Sequence, residues 1–141
     1  MSEKSGGRAA LFLSLLALSL PAGNGKAWAE VDLNAAEAQF VKSCGTCHTT
    51  SPDEPPRQGP HLNGIYGREA GTIDGFAYSE ALQTKASEGL VWTEATLEPW
   101  ITSAGAFIPG TTMLYRQVNP AKRALIIAYL KSLSEEDAKA N

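Results

Sequence analysis

Between Thr49 and Phe76 the chain sets Pro52, Pro55, Pro56 and Pro60 among Gly59, Gly64, Gly67, Gly71 and Gly75. Such a density of breakers leaves no room for a long regular element. A loop of this length is unusual in a compact domain unless it serves a purpose. The flanking segments read as helices. Asn34-Ala35-Ala36-Glu37 has the pattern of a capping box, and Leu33, Ala36, Phe40 and Cys44 recur behind it at helical intervals. A short helix is predicted over Tyr78 to Lys85, and another from Thr93 as N-cap to about Ser103. A second loop spans 104–118. Asn119-Pro120 then supplies a cap and a proline at the first helical position, and Ile126, Tyr129, Leu130 and Leu133 form an i, i+3, i+4, i+7 stripe. The charged tail from Glu135 is expected to fray. Three or four short helices joined by long loops make a poor core for so short a chain, so its interior calls for a large apolar object that the side chains do not supply.

The N-terminus narrows where such a chain works. Lys4 and Arg8 precede the apolar run Ala9 to Leu20, followed by Pro21-Ala22-Gly23-Asn24-Gly25 and then Ala27-Trp28-Ala29. A basic start, a short apolar centre and a small-x-small end make a secretory signal over residues 1–29, with cleavage after Ala29. The run is shorter than the roughly 20 residues a membrane span needs, although an uncleaved N-terminal anchor stays open. Residues 30–141 then form one domain, exported to the bacterial periplasm, with no membrane insertion once the signal is cleaved. Its Lys and Arg number 9 against 14 Asp and Glu, a formal charge of −5. That balance argues against nucleic acid or anionic lipid as partners and fits a monomer.

Two cysteines in an exported chain normally suggest a disulfide. Here they stand as Cys44-Gly45-Thr46-Cys47-His48, the attachment sequence of c-type haem. Residues i and i+3 on one turn point the same way, so both thiols can add to one side of a porphyrin. His48 follows as the proximal iron ligand. A thiol-disulfide redox motif, a zinc site and a plain disulfide use the same residues and remain open from these five alone. The first expects a βαβ context, the second would consume Cys44, Cys47, His48 and His61, and the third leaves His48 unexplained.

With residues 1–29 removed, Met113 is the sole methionine, 65 residues after His48 in the loop Ile108-Pro109-Gly110-Thr111-Thr112-Met113. A lone methionine is usually gap-filling core. In this setting it reads as the second axial ligand, a soft thioether that favours Fe(II). His61, the competing ligand, lies close to His48 in a proline-rich loop and reads as a surface residue.

Taken together, Phe40-Val41-x-x-Cys44-x-x-Cys47-His48, Gly59-Pro60-x-Leu62-x-Gly64-x-x-Gly67-Arg68, Gly75-Phe76-x-Tyr78-Ser79-x-Ala81, Trp92, Ile108-Pro109-Gly110-Thr111-x-Met113 and Ile126-x-x-Tyr129-Leu130 resemble class I cytochrome c, in its mitochondrial cytochrome c and bacterial cytochrome c2 branch. The resemblance covers about residues 33–134. It implies an all-α fold of three to five short helices and long loops wrapped around one covalent haem c. The first and last helices would cross, Ala36 and Phe40 against Ile126 and Tyr129. The Pro60 carbonyl would accept from the His48 ring, Arg68, Tyr78 and Trp92 would hydrogen-bond the haem propionates, and Thr111 would support the Met113 loop. Ala36 replaces the usual glycine, implying a slightly wider helix crossing, and Trp100 replaces a tyrosine near the ligand methionine. Ser103 to Ala106 and Thr112 lack most of the lysines with which mitochondrial cytochrome c docks on acidic partners.

With His48 and Met113 on the iron no site is left for substrate. The implied function is therefore single-electron shuttling between redox proteins, such as a membrane oxidase or reductase or a periplasmic dehydrogenase, rather than catalysis. A dedicated cytochrome subunit of a periplasmic dehydrogenase complex is the alternative, which an exposed apolar patch or co-purification would reveal. A peroxidase or gas-binding protein would require Met113 to be absent or labile.

Overall fold

A computed structural model describes Met1 and residues 31–140, apart from the side chains of Asp137 and Ala140. The secretory signal expected over 1–29 lies outside the described residues. Among the described residues there are five helices, α1 (Leu33–Cys44), α2 (Glu80–Ser87), α3 (Glu94–Thr102), α4 (Ala104–Phe107) and α5 (Pro120–Ala140), and no strand. The all-α expectation holds, with differences at the helix ends.

Helix α1 is capped by Asp32, not Asn34. The Asp32 carboxylate accepts from the backbone N–H of Asn34 and Ala35 at 3.0 and 3.2 Å. Helix α2 starts two residues later than predicted because the Ser79 hydroxyl takes the cap and accepts from Leu82 N–H at 3.3 Å. Thr93 caps α3 as expected, its backbone N–H donating to Thr96 Oγ1 at 2.8 Å. The second loop contains one unforeseen turn, α4. Asn119 caps α5 through bonds from Ala121 and Lys122. Helix α5 does not fray at Glu135 but continues to Ala140, because Glu, Ala and Lys are good helix formers and no breaker intervenes.

The framework is the crossing of α1 and α5, with α3 packed against α4 and α5. Ala36 and Phe40 on α1 are buried, as are Ile126, Ile127 and Leu130 on α5. Phe40 and Tyr129 meet with ring centroids 5.0 Å apart, as the resemblance implied. Leu33 is exposed and plays no part in the crossing. Arg123 of α5 holds Glu98 of α3 at 2.6–2.7 Å.

The breaker-rich loop satisfies its backbone by folding back on residues 90–92. Gly67 N–H donates to Trp92 O at 2.7 Å, Ala70 N–H to Leu90 O at 2.8 Å, and Trp92 N–H to Arg68 O at 2.9 Å. Tyr66 N–H reaches Ser134 Oγ on α5 at 3.0 Å. These backbone groups of the loop are thereby paired, and the loop, α2, α3, α5 and the segment after α4 are left to wall a cavity.

Candidate haem-binding site

Helix α1 ends on Cys44, and the chain makes one more turn. Cys47 and His48 N–H both donate to Cys44 O, at 3.0 and 2.9 Å. Cys44, Cys47 and His48 consequently line the same cavity, of about 540 Å³. Arg57 clamps the turn from outside: its guanidinium donates to the Gly45 carbonyl and pairs with Glu54 at 3.3 Å. Nothing in the local pattern marked Arg57 for this, because its acceptor lies twelve residues away.

The two cysteines are free thiols, not a disulfide. Burial, followed by the neighbouring Cys47, pushes the Cys44 thiol up to about 12. The zinc reading finds no support, since no cluster of three His, Cys, Asp or Glu side chains able to hold a metal occurs among the described residues.

His48 is oriented by a single bond. Its Nδ1 lies 2.8 Å from Pro60 O, and because a carbonyl only accepts, Nδ1 carries the hydrogen and Nε2 keeps its lone pair. Burial lowers the His48 pKa, against the raising effect of that bond. A neutral imidazole held by a carbonyl is the form in which histidine serves as a metal ligand. Gly59 is buried beside it, where a β-carbon would overlap the imidazole ring.

Met113 lines the same cavity, brought there by a turn the sequence encodes. Pro109 precedes Gly110, whose φ of +91° suits the third position of a type II turn. Thr111 N–H then donates to Ile108 O at 3.1 Å, and the buried Thr111 hydroxyl accepts from Met113 N–H at 3.3 Å. Thr111 thus stands where it can hold the Met113 loop.

Of the three residues expected to meet haem propionates, Tyr78 and Trp92 line the cavity and Arg68 does not. Tyr78 Oη accepts from Ile73 N–H at 3.3 Å, and burial raises its pKa. Arg68 donates to Asn63 O at 2.9 Å. Trp100 is buried in the wall, its ring centroid 5.3 Å from that of Trp92. His61 departs from expectation. It is half-buried rather than a surface residue, and its Nδ1 is buried without a hydrogen-bond partner. Burial and then Arg68 lower its pKa. His61 faces a second, smaller cavity with Glu54 and Asp74 and does not line the one holding His48 and Met113.

A large, mainly apolar cavity carrying two unbridged thiols, a neutral imidazole with a free Nε2 and a thioether fits a covalently attached haem c. Cys44, Cys47 and His48 are the residues of the attachment motif.

The cytochrome c family model matches residues 33–134. The chain is 38% identical over 106 residues to cytochrome c2 of Blastochloris viridis, covering 74% of this chain and 81% of that protein. It is also 38% identical to cytochrome c-550 of Novispirillum itersonii, covering 70% of this chain and 96% of that one. Among solved structures, cytochrome cH from Methylobacterium extorquens matches at a TM-score of 0.63 and 38% identity, covering 72% of this chain and 99% of that chain.

Proposed function

The chain belongs to the cytochrome c family, and from that premise we propose an exported, periplasmic carrier whose single haem iron is held by His48 and Met113. Haem c, attached through Cys44 and Cys47, supplies a one-electron Fe(III)/Fe(II) couple. The protein is an electron carrier rather than an enzyme. One observation supports the ligand pair above the rest: Met113 enters the cavity of His48 from a loop that Thr111 ties down.

The chain's own contribution is rigidity. Pro60 fixes the His48 ring and Thr111 fixes the Met113 backbone, so the two side chains that would hold the haem iron are kept in place. Tyr78 and Trp92 line the cavity with a hydroxyl and an indole N–H, donors suited to haem propionates. With His48 and Met113 both engaged by the haem, no site would be left for substrate, and electrons would pass by transient docking of redox proteins, a membrane oxidase or reductase and a periplasmic dehydrogenase among them. No helix among the described residues is long and apolar enough to cross a membrane. Residues 1–29 act as the secretory signal and 30–141 as a monomeric cytochrome domain.

A reduced-minus-oxidised visible spectrum with a redox titration tests the reading. A six-coordinate, low-spin spectrum in both states is expected. A high-spin ferric spectrum would refute the filled second position. N-terminal sequencing of the secreted protein should begin at Glu30.

A further inference from the structure

The segment from Arg57 to Leu62 lies along the attachment turn as a strap and grips it repeatedly. Gly59 N–H donates to Cys47 O and Leu62 N–H to Thr49 O, both at 2.8 Å. Pro60 O meets the His48 ring. Two further grips come from side chains. Cys47 Sγ donates to Gln58 Oε1 at 3.2 Å. Arg57 Nη1 donates to the Gly45 carbonyl and reaches the His48 carbonyl at 3.5 Å. The Gln58 contact uses the thiol hydrogen, which leaves the sulfur when a thioether forms, so it does not outlast haem attachment. Among the described residues, Arg57 is then the side chain of the strap that still holds the turn in the holoprotein.

The two carbonyls need such a donor. Helix α1 ends at Cys44, and the last carbonyls of a helix find no partner within it. No backbone N–H among the described residues meets Gly45 O or His48 O. This end also carries the negative pole of the helix dipole, which a cation complements. A guanidinium presents its donors as a planar fork. Here Nη1 serves the carbonyls while Nη2 pairs with Glu54 at 3.3 Å, so Glu54 aims the fork. The Arg57 and Glu54 side chains are 47% and 51% exposed, and an ion pair so open to water adds little to global stability. Its effect is local. Pro60 sets the rotation and tautomer of the His48 ring, whereas Arg57 sets where the backbone carrying that ring stands.

We propose that Arg57 is a positioning residue for the axial imidazole, acting through the backbone of the attachment turn. The inference rests on the electron-carrier reading above and extends it to the residue that keeps its iron ligand still. Lysine does not replace it, because an ammonium on a flexible stem is a point donor rather than a fork.

Hydrogen exchange in the reduced holoprotein, followed by NMR, reads this directly, since low-spin Fe(II) is diamagnetic. The His48 Nδ1–H and the Gly59 N–H exchange when the strap opens. Arg57→Ala should speed both about tenfold, the factor expected for losing a hydrogen bond from a charged donor. Arg57→Lys should speed them nearly as much, although it keeps the charge. Exchange at Ile126 and Leu130, in the core of α5, should stay within about twofold of the parent, because global opening is unchanged. Lys85→Ala breaks an ion pair of similar exposure, Lys85 with Glu88 at the end of α2, and should leave the His48 ring as in the parent.

Unaltered ring exchange in Arg57→Ala overturns the proposal. Equal acceleration at Ile126 and Leu130 overturns it too, since Arg57 would then serve general stability. Parent-like rates in Arg57→Lys would assign the effect to charge at the helix end and overturn the fork. If Arg57→Ala yields no holoprotein, Arg57→Lys carries the test alone: faster ring exchange supports the proposal and parent-like exchange overturns it. The parent's own spectrum tests the carrier reading separately. A parent without a low-spin ferrous spectrum refutes that reading, whereas a low-spin parent whose His48 ring is indifferent to Arg57→Ala refutes the positioning role alone.

Discussion

The Nδ1 nitrogen of His48 stands 2.8 Å from the carbonyl oxygen of Pro60. This contact does two jobs with one bond: it fixes the tautomer that leaves Nε2 available, and it fixes the ring's rotation. It forms because Gly59 N–H is itself held by Cys47 O at 2.8 Å, so the loop is hydrogen-bonded to the attachment turn on both sides of the imidazole. A backbone acceptor cannot be removed by side-chain substitution, and that makes the geometry hard to lose.

The packing beside it can be tested directly. A β-carbon at Gly59 would overlap the His48 ring, so Gly59→Ala forces either ring or loop to move. Overpacking of this kind costs about 1–3 kcal/mol. The holoprotein's guanidinium midpoint should fall accordingly, with a shifted visible spectrum if the ring tilts. An unchanged midpoint and spectrum would show that the ring has slack, and the argument for a fixed imidazole would fail.

Met113→Ala tests the ligand pair. Loss of the thioether should lower the potential by about 59 mV for each tenfold preference for Fe(II) that is lost, and exogenous imidazole should now bind. His61→Ala is the matched control, since His61 faces the other cavity. If the potential and spectrum of Met113→Ala match the parent, Met113 is not the ligand. A changed ligand spectrum in His61→Ala would point to His61 instead.

Which of these features the sequence revealed depended on how far apart their parts lie. The attachment motif, the Pro109-Gly110 turn into Met113 and the apolar stripe of α5 are local patterns and legible, and the stripe of α1 is so at Ala36 and Phe40 but not at the exposed Leu33. The cap of α1 was misplaced because Asp32 and Asn34 are both short polar acceptors, and only the geometry shows that the Asp32 carboxylate reaches two donors. Helix α4 is a single turn and too short to carry a period. Ile127 lies off the predicted stripe yet is buried, because α5 packs against α3 as well as α1. The burial of His61 and the Arg57 clamp depend on how the breaker-rich loop folds back, which no periodicity encodes.

The α1–α5 crossing should dominate stability. Phe40 is 2% exposed and packs on Tyr129 at 5.0 Å. Phe40→Ala removes the ring and leaves a cavity, at an expected cost of about 3–5 kcal/mol. Phe40→Leu keeps most of the volume and should cost well under half of that. Denaturant unfolding of the two holoproteins gives the comparison, and equal losses would mean that the aromatic site is not tightly packed.

Tyr129 gives the same crossing a pH dependence. Burial, followed by the Glu37 charge, raises its pKa above the ordinary value of 10.0. The unfolded chain therefore loses this proton near pH 10, and the folded chain only at higher pH. Between the two values the folded state binds more protons, so stability falls as pH rises through this window and is fully present below it. Tyr129→Phe keeps the ring and abolishes the titration. Above about pH 10 its stability should decline less steeply than that of the parent. Tyr78 shifts in the same direction, so some alkaline slope should persist. Guanidinium unfolding at a series of fixed pH values measures both slopes. Coincident slopes for parent and variant would show that Tyr129 ionises equally in the folded and unfolded chains.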